Sequence, residues 1–159
     1  MMKLTEIVVQ KAIAPSLEVT TRDEAITALI DLLVKAGEVS EDDRDSFVKA
    51  VVKRENRGST GFGNGVAVPH LKQASVTKVI AAVANITNGV DFNALDGNPV
   101  YSIFLLMSPE DQPELHLEAM EAVFGSLSQD TFRRFLRQAS TVKEVVTLLK
   151  DADSQQLSA

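Results

Sequence analysis

A run of apolar residues in the second half of the chain places the strongest constraint on its fold. The segment Val100 to Met107 predicts a β-strand, and within it Ile103 to Leu106 are four consecutive apolar residues. Such a run is typical of a strand buried on both faces, at the centre of a sheet that other elements cover on each side. The rest of the chain must therefore supply a cover for two faces of one sheet.

Two helices are predicted before this strand. Thr21 to Glu24 has the form of a capping box, and apolar residues then recur at helical spacing as far as Gly37. Ser40 is a second N-cap candidate, and the apolar spacing after it predicts a helix that ends near Arg54. We expect the two helices to form a tight antiparallel pair.

Helical spacing returns after the strand, beyond Pro109. It predicts helices over 115–127 and 132–136, and a Thr141 to Glu144 capping box begins a third over 142–149. Helical segments therefore lie on both sides of the strand-rich region in the sequence.

Two shorter β segments complete the strand-rich region. Val66 to Val68 predicts a strand that Pro69 ends, and Val79 to Ile86 predicts another. Turn dipeptides at Asn88-Gly89 and Asp96-Gly97 follow, and strands joined so closely must be antiparallel neighbours. The whole pattern predicts an α/β (α+β) fold, a three-layer sandwich in which helices flank a mixed parallel and antiparallel β-sheet.

Length and composition limit the classes of function. The 159 residues suit one domain, which we expect over residues 1–150, followed by a flexible C-terminal tail over 151–159. The absence of cysteine excludes thiolate metal ligands and cysteine nucleophiles, and the net charge of −6 argues against nucleic-acid binding. No apolar run is long enough to cross a bilayer, so we expect a cytoplasmic protein without membrane insertion.

The most unusual stretch is the glycine-rich segment Gly58 to Gly65, which has four glycines in eight residues. Glycine reaches the positive φ angles that turn backbone N–H groups inward as an anion nest, so the segment predicts a shaped loop suited to phosphate. Arg54 and Arg57 precede it and would add positive charge. The candidate phosphate-binding residues of the loop are Ser59, Thr60, Gly61, Gly63, Asn64 and Gly65. Neither nucleotide-binding glycine motif is present, which makes ATP and NAD poor candidates.

His70 follows this loop at the predicted end of a strand, and His116 is the only other histidine. A neutral imidazole is a nucleophile that can accept a phosphoryl group directly. Each signal also has an ordinary structural explanation. A lone histidine is more often a hydrogen-bonded structural residue, a glycine loop is more often a turn, and arginines at a helix end complement its dipole.

The string at 54–70, Arg-Glu-x-x-x-Ser-Thr-Gly-x-Gly-Asn-Gly-Val-Ala-Val-Pro-His, closely resembles a known phosphorylation-site segment. It is found in enzyme IIA domains of the phosphoenolpyruvate-dependent phosphotransferase system, in the fructose, mannitol and nitrogen-regulatory class. Ser108 to Gln112, followed by His116-Leu117, is similar to the second histidine region of the same family. The resemblance covers residues 1 to 150 and implies an α/β sandwich with a mixed sheet.

This resemblance implies that His70 is the phosphoacceptor, that His116 lies beside it and that Arg54 steadies the phosphoryl group. Arg57 has no counterpart in the family pattern. The implied phosphocarrier takes its phosphoryl group from an HPr-like phosphohistidine protein and passes it to a IIB-type acceptor, without a cofactor or metal. Phe62 and Leu71 are candidates for the docking surface, and Phe62 is equally a candidate for the core.

Leu71 departs from the family pattern, because many members have glycine after the phosphoacceptor histidine. The Gly-Asn-Gly loop and Asp111-Gln112 look more like the nitrogen-regulatory branch. An alternative function is therefore a regulatory module that docks on a target protein according to its phosphorylation state, without passing the group on. A weaker alternative is a metal-dependent hydrolase that uses both histidines and a carboxylate.

Overall fold

The computed structural model describes residues 2–154 of the chain. Its centre is a six-stranded sheet. The strands are β1 (Val8–Leu17), β2 (Gly61–Gly63), β3 (Val66–Ala67), β4 (His70–Gln73), β5 (Ile80–Val90) and β6 (Val100–Pro109). The helices are α1 (Leu4–Ile7), α2 (Arg22–Lys35), α3 (Arg44–Arg57), α4 (Pro113–Leu127), α5 (Asp130–Gln138) and α6 (Val142–Asp153), with a 3₁₀ turn at Glu41–Asp43.

The sheet is mixed, as predicted. Its order is β1-β5-β6-β3-β2, and β4 also pairs with β6. The pairs β5–β6 and β2–β3 are antiparallel, whereas β1–β5, β3–β6 and β4–β6 are parallel. The strand that the apolar run predicts, β6, is central because it pairs with β5 along one edge and with β3 and β4 along the other.

The helices cover both faces of the sheet, which confirms the three-layer prediction. Successive side chains of β6 point to opposite faces. Ile103, Leu105 and Met107 therefore join the core beneath α2 and α3, while Phe104 and Leu106 join the core beneath α4, α5 and α6. All five of these β6 side chains are buried.

Both predicted capping boxes are present. The backbone N–H of Glu24 donates to Thr21 Oγ1, and that of Glu144 donates to Thr141 Oγ1, each at 3.1 Å. The hydroxyls satisfy N–H groups that the first turn of a helix leaves without a partner. α2 and α3 pack against each other as an antiparallel pair, since Arg22 at the start of α2 donates from Nη2 to Asn56 Oδ1 near the end of α3, at 2.7 Å.

Four boundaries differ from the sequence expectations. α3 continues to Arg57, the glycine segment contains the short strand β2, and His70 begins β4 instead of ending a strand. Asn88-Gly89 lies within β5, where the register with β6 shifts, so the predicted turn there is wrong and only the one at Asp96-Gly97 is confirmed. β4 and the far end of β5 form because β6 pairs with both of them, from Val100 to Pro109.

Residues near the two ends of the described chain contact each other, and the first residues of the predicted C-terminal tail are helical. Asp151 to Asp153 belong to α6, and the Asp153 carboxylate accepts hydrogen bonds from the backbone N–H of Leu4 at 2.6 Å and of Thr5 at 3.0 Å. The last part of the predicted tail, 155–159, lies outside the described residues. Within residues 2–154, no helix has both the length and the apolar character that a membrane crossing requires.

Candidate functional site

His70 is held at the start of β4 by the backbone that precedes it. Its Nδ1 lies 2.8 Å from the carbonyl oxygen of Val68, with Pro69 between the two residues. A carbonyl can only accept a hydrogen bond, so Nδ1 carries the proton and donates it. In the neutral ring, Nε2 then holds the lone pair.

The surroundings of His70 favour that neutral ring. Burial lowers its pKa below the ordinary value of 6.5, the positive charge of Arg54 lowers it further, and the hydrogen bond to Val68 opposes both effects. Burial has this direction because a charged imidazolium loses hydration when it leaves water. The side chain is therefore uncharged near pH 7.

His116 enters the same region from the first turn of α4. Its Nδ1 lies 2.8 Å from the hydroxyl oxygen of Ser108, a fully buried residue near the end of β6. Burial, the charge of His70 and the charge of Lys72 lower the pKa of His116 from 6.5 to about 4. At pH 7 it is a neutral hydrogen-bonding group and carries no positive charge.

The pairing of β4 with β6 brings the two histidines together. His70 lies opposite Leu106 on β6, and Ser108 follows two residues later on the same side of the strand. The two imidazole centroids are 5.5 Å apart. The 46 residues that separate the histidines in sequence are thus bridged by one strand pair and one helix start.

Both histidines open onto a shared cavity of about 550 Å³ that is rich in cationic side chains. The lining consists of Ala50, Lys53, Arg54, Arg57, His70, Leu71, Lys72, Glu110 and His116. Arg54 is fixed in part by its own helix end, because Nη1 donates to the carbonyl of Gly58 at 3.0 Å. Four cations and one carboxylate around two neutral imidazoles make a site for an anion next to a nucleophile.

The glycine segment is placed differently from its prediction. Ser59, Thr60, Gly61, Gly63, Asn64 and Gly65 do not line the cavity with His70. They lie in or next to the β2–β3 hairpin, and several of their polar groups are used within the fold. Ser59 Oγ donates to the carbonyl of Phe92 at 2.6 Å, and the backbone N–H of Asn64 donates to Asp96 Oδ2 at 3.1 Å.

Thr60 shows most clearly how the donors of the predicted phosphate loop are used in the fold. Its N–H and its hydroxyl both donate to the carboxylate of Glu55, which is buried near the end of α3. Two donors that the sequence analysis offered to phosphate are thus satisfied by a carboxylate of this chain. The loop thus contacts the end of α3, which carries Arg54, and the cavity beside His70 is lined by cations and not by these amides.

Sequence reasoning found four cavity residues by their chemistry and missed three others. His70, His116, Arg54 and Arg57 were candidates, and the structure brings all four together. Lys53, Lys72 and Glu110 were not singled out. A signal existed for Lys53, which is one helical turn before Arg57.

Both apolar candidates for a docking surface are partly buried against the core, on opposite faces of the sheet. Leu71 lines the cavity. Phe62 instead packs against Phe124 of α4, with ring centroids 4.9 Å apart, as part of the core beneath α4, α5 and α6. Within residues 2–154, no group of three or more histidine, aspartate or glutamate side chains is placed to hold a metal ion, which gives the metal-hydrolase alternative no support.

Comparisons with known proteins agree with this geometry. The family model described as "Phosphoenolpyruvate-dependent sugar phosphotransferase system, EIIA 2" matches residues 6–152. The fructose-specific EIIABC component of Bacillus subtilis is 31% identical over 152 residues, which cover 96% of this chain. The match spans only 24% of the length of that relative.

Solved structures show the same fold. Nitrogen regulatory protein IIA-Ntr from Neisseria meningitidis has a TM-score of 0.82 and 33% identity, and the match covers 91% of this chain and 97% of that one. Enzyme IIA mannitol from Escherichia coli, solved in complex with phosphorylated enzyme IIB mannitol, has a TM-score of 0.72 at 22% identity, covering 88% and 94%. These matches confirm the family resemblance first seen at 54–70 and extend it over nearly the whole described chain. IIA domains of this family transfer phosphoryl groups by way of a histidine. The chain belongs to the EIIA 2 family of the phosphoenolpyruvate-dependent sugar phosphotransferase system.

Proposed function

We propose that the chain acts as a single phosphocarrier domain in which Nε2 of His70 accepts the phosphoryl group. The observation that carries this proposal is the hydrogen bond from His70 Nδ1 to the Val68 carbonyl, 2.8 Å long. It commits Nδ1 to the backbone and leaves the lone pair on Nε2, within a cavity lined by cations. A neutral imidazole with a fixed tautomer is the state that attacks phosphorus.

The transfer exchanges one N–P bond for another. The lone pair of His70 Nε2 forms a bond to phosphorus, and the N–P bond of the donor phosphohistidine breaks with its electron pair returning to the donor ring. His70 keeps its Nδ1 proton, so positive charge develops on the ring as the new bond forms. The Val68 carbonyl accepts the hydrogen bond from Nδ1–H and stabilises that charge.

The cavity cations would stabilise the phosphoryl group itself. The Arg54 guanidinium is steadied by its hydrogen bond to Gly58, which reduces the conformational freedom it loses on contact with phosphate. Arg57, Lys53 and Lys72 line the same cavity and add positive charge. His116, neutral at pH 7, would donate from Nε2 to a phosphoryl oxygen when the Ser108 hydroxyl donates to its Nδ1.

The partners in this proposal are an HPr-like phosphocarrier as donor and a IIB-type domain as acceptor, meeting in the cytoplasm. Two comparisons support the acceptor. A relative of this chain is an EIIABC component, and a structure of the same fold is bound to phosphorylated enzyme IIB. Leu71, which lines the cavity beside His70, is the residue we expect a partner to contact first.

The test is phosphorylation of the whole chain by phosphoenolpyruvate, the first enzyme of the system and an HPr-like carrier. Intact mass should rise by one acid-labile phosphoryl group in the natural chain and stay unchanged in His70→Ala. Arg54→Gln should slow the transfer by about tenfold or more, since one charge-assisted contact to the transferring group is lost. Arg44→Gln is the matched control, because Arg44 lies at the other end of α3 and pairs with Asp31 and Asp45.

A second candidate is a regulatory module that holds the phosphoryl group and docks on a target protein. The similarity to the IIA-Ntr structure, at a TM-score of 0.82, favours it. The two functions separate when the phosphorylated chain is mixed with a fructose-type IIB domain. Rapid loss of the label to IIB supports transfer, whereas a label that persists while HPr removes it readily supports the regulatory role.

A further inference from the structure

A second cluster of cations lies on α5, outside the His70 cavity. It borders a recess of about 560 Å³. The lining is Asn64, Asp130, Arg133, Arg134, Arg137 and Gln138. Three guanidinium groups against one carboxylate give this lining a formal charge of +2, in a chain whose net charge is −6. Such a concentration of positive charge on an acidic protein selects an anionic ligand.

Two of these arginines are already held in place. The Arg137 guanidinium stacks on the ring of Tyr101, with its central carbon 3.5 Å from the ring centroid. Arg133 donates from Nη1 to the carbonyl of Leu127 at 2.8 Å, and its side chain is only 17% exposed. An arginine held by stacking or by its own hydrogen bond loses little conformational freedom when an anion binds.

The carboxylate in the recess does not neutralise the cluster. Asp130 lies 3.5 Å from Arg133 and 3.7 Å from Arg134, beyond ordinary hydrogen-bond length, and its side chain is 79% exposed. Among residues 2–154, Arg137 has no carboxylate within 4.0 Å. The outer edge of its guanidinium is therefore available to an incoming anion.

We infer that this recess binds the phosphate group of a small phosphate ester. A phosphate monoester carries a charge of about −1.5 to −2 at pH 7, which matches the +2 of the lining, and guanidinium forks bind its oxygens in pairs. The side-chain amides of Asn64 and Gln138 add neutral donors. The volume suits a small molecule, and no apolar residue of the described chain lines the recess to anchor a protein partner.

This site is separate from the one proposed for phosphoryl transfer. Tyr101, beneath Arg137, and Leu106, opposite His70, are five residues apart on β6, which is about 16 Å along a strand. A ligand in the recess would leave His70 open to its partners. The inference therefore stands or falls independently of the proposed function.

The test is titration of the ¹⁵N-labelled chain, followed by NMR at constant ionic strength. The signals are the side-chain amides of Asn64 and Gln138 and the Nε–H of Arg137. Fructose 1-phosphate and phosphoenolpyruvate are added in separate arms, with fructose and sulfate as controls. Saturable shifts with fructose 1-phosphate alone identify the ligand as a sugar phosphate. Saturable shifts with phosphoenolpyruvate alone identify it as a phosphorylated acid. Either result supports the site.

Variants locate the binding. The double variant Arg134→Gln, Arg137→Gln should weaken it by about tenfold or more, and Arg137→Lys should weaken it less, because charge remains while the stacked fork is lost. Arg57→Gln, which removes a guanidinium from the His70 cavity, should leave it unchanged. Three results would each overturn the inference. The first is non-saturating shifts of equal size with sulfate and both esters, and the second is shifts confined to the His70 cavity. The third is unchanged affinity in a double variant that unfolds at the same temperature as the natural chain.

Discussion

The imidazole rings of His70 and His116 lie 5.5 Å apart between centroids and are inclined by 51°. At this distance a positive charge on one ring disfavours a charge on the other, and for His116 this repulsion adds to burial in lowering its pKa. Both rings are therefore neutral at pH 7. One keeps a lone pair for attack, and the other is left as a hydrogen-bond partner beside it.

The lowered pKa of His116 predicts a pH-dependent stability. Between pH 6.5 and about 4, His116 binds a proton in the unfolded chain but not in the folded one, so the free energy of unfolding falls as the pH falls through this window. His116→Gln should reduce the number of protons taken up on unfolding there, by up to about one. Urea denaturation at several pH values measures it, and parallel curves for variant and natural chain would contradict the shift.

The contact between the Ser108 hydroxyl and His116 predicts that Ser108 affects the rate of phosphoryl transfer. Ser108→Ala leaves Nδ1 of His116 without its 2.8 Å partner, which should slow phosphorylation roughly three- to tenfold, the equivalent of one hydrogen bond. Ser102→Ala is the matched control. Ser102 is a buried serine of the same strand whose hydroxyl donates to Asn85 Oδ1 at 2.7 Å. Equal rates in the two variants would remove the positioning role from Ser108.

The buried contact between Glu55 and Thr60 predicts strong energetic coupling. Removing either partner leaves a buried polar group unsatisfied, so Glu55→Ala and Thr60→Ala should each lower the free energy of unfolding by about 1–3 kcal/mol. The double variant should cost less than the sum of the two single changes, with a coupling of about 0.5–3 kcal/mol. Thr60→Ala keeps the backbone N–H donor, so the cycle measures the hydroxyl contact alone. Chemical denaturation of the four chains completes the cycle, and strict additivity would contradict the coupling.

Replacing either of two glycines by alanine should change the stability of the chain, in opposite directions. Gly89 has a φ of +70°, and an added Cβ would lie 2.8 Å from Cε1 of Tyr101, so Gly89→Ala should destabilise the chain by about 1–3 kcal/mol. Gly125 is an exposed glycine of α4 with nothing within 4 Å of an added Cβ, so Gly125→Ala should stabilise it by up to about 1 kcal/mol. Thermal midpoints compare the two variants, and shifts in the same direction would contradict the local geometry.

Much of the fold could be predicted because its signals are local. A capping box needs only four consecutive residues, and the run of four apolar residues in β6 is enough to predict a central strand. β1 gave no such signal, because it is an edge strand with a proline at position 15 and two register shifts against β5. β4 is four residues long and exists through its pairing with β6, a contact between distant parts of the chain.

The residues of the candidate site also differ in whether local sequence or distant contacts bring them together. His70, Arg54 and Arg57 belong to one continuous stretch, so their chemistry could be recognised together. The role of Thr60 could not be predicted, since a hydroxyl that faces a buried carboxylate and one that faces phosphate look alike in sequence. Lys72 became part of the site only when the sheet placed β4 beside β6.

The proposed transfer depends on one nitrogen atom, Nε2 of His70. The measurement that tests it most directly is ¹⁵N and ³¹P NMR of the chain after phosphorylation by phosphoenolpyruvate and its carriers, with ¹⁵N-labelled histidine. We expect a single phosphohistidine, substituted at Nε2, that is absent from His70→Ala and present in His116→Gln. A phosphoryl group on Nδ1, on His116 or on the His70→Ala chain would contradict the account.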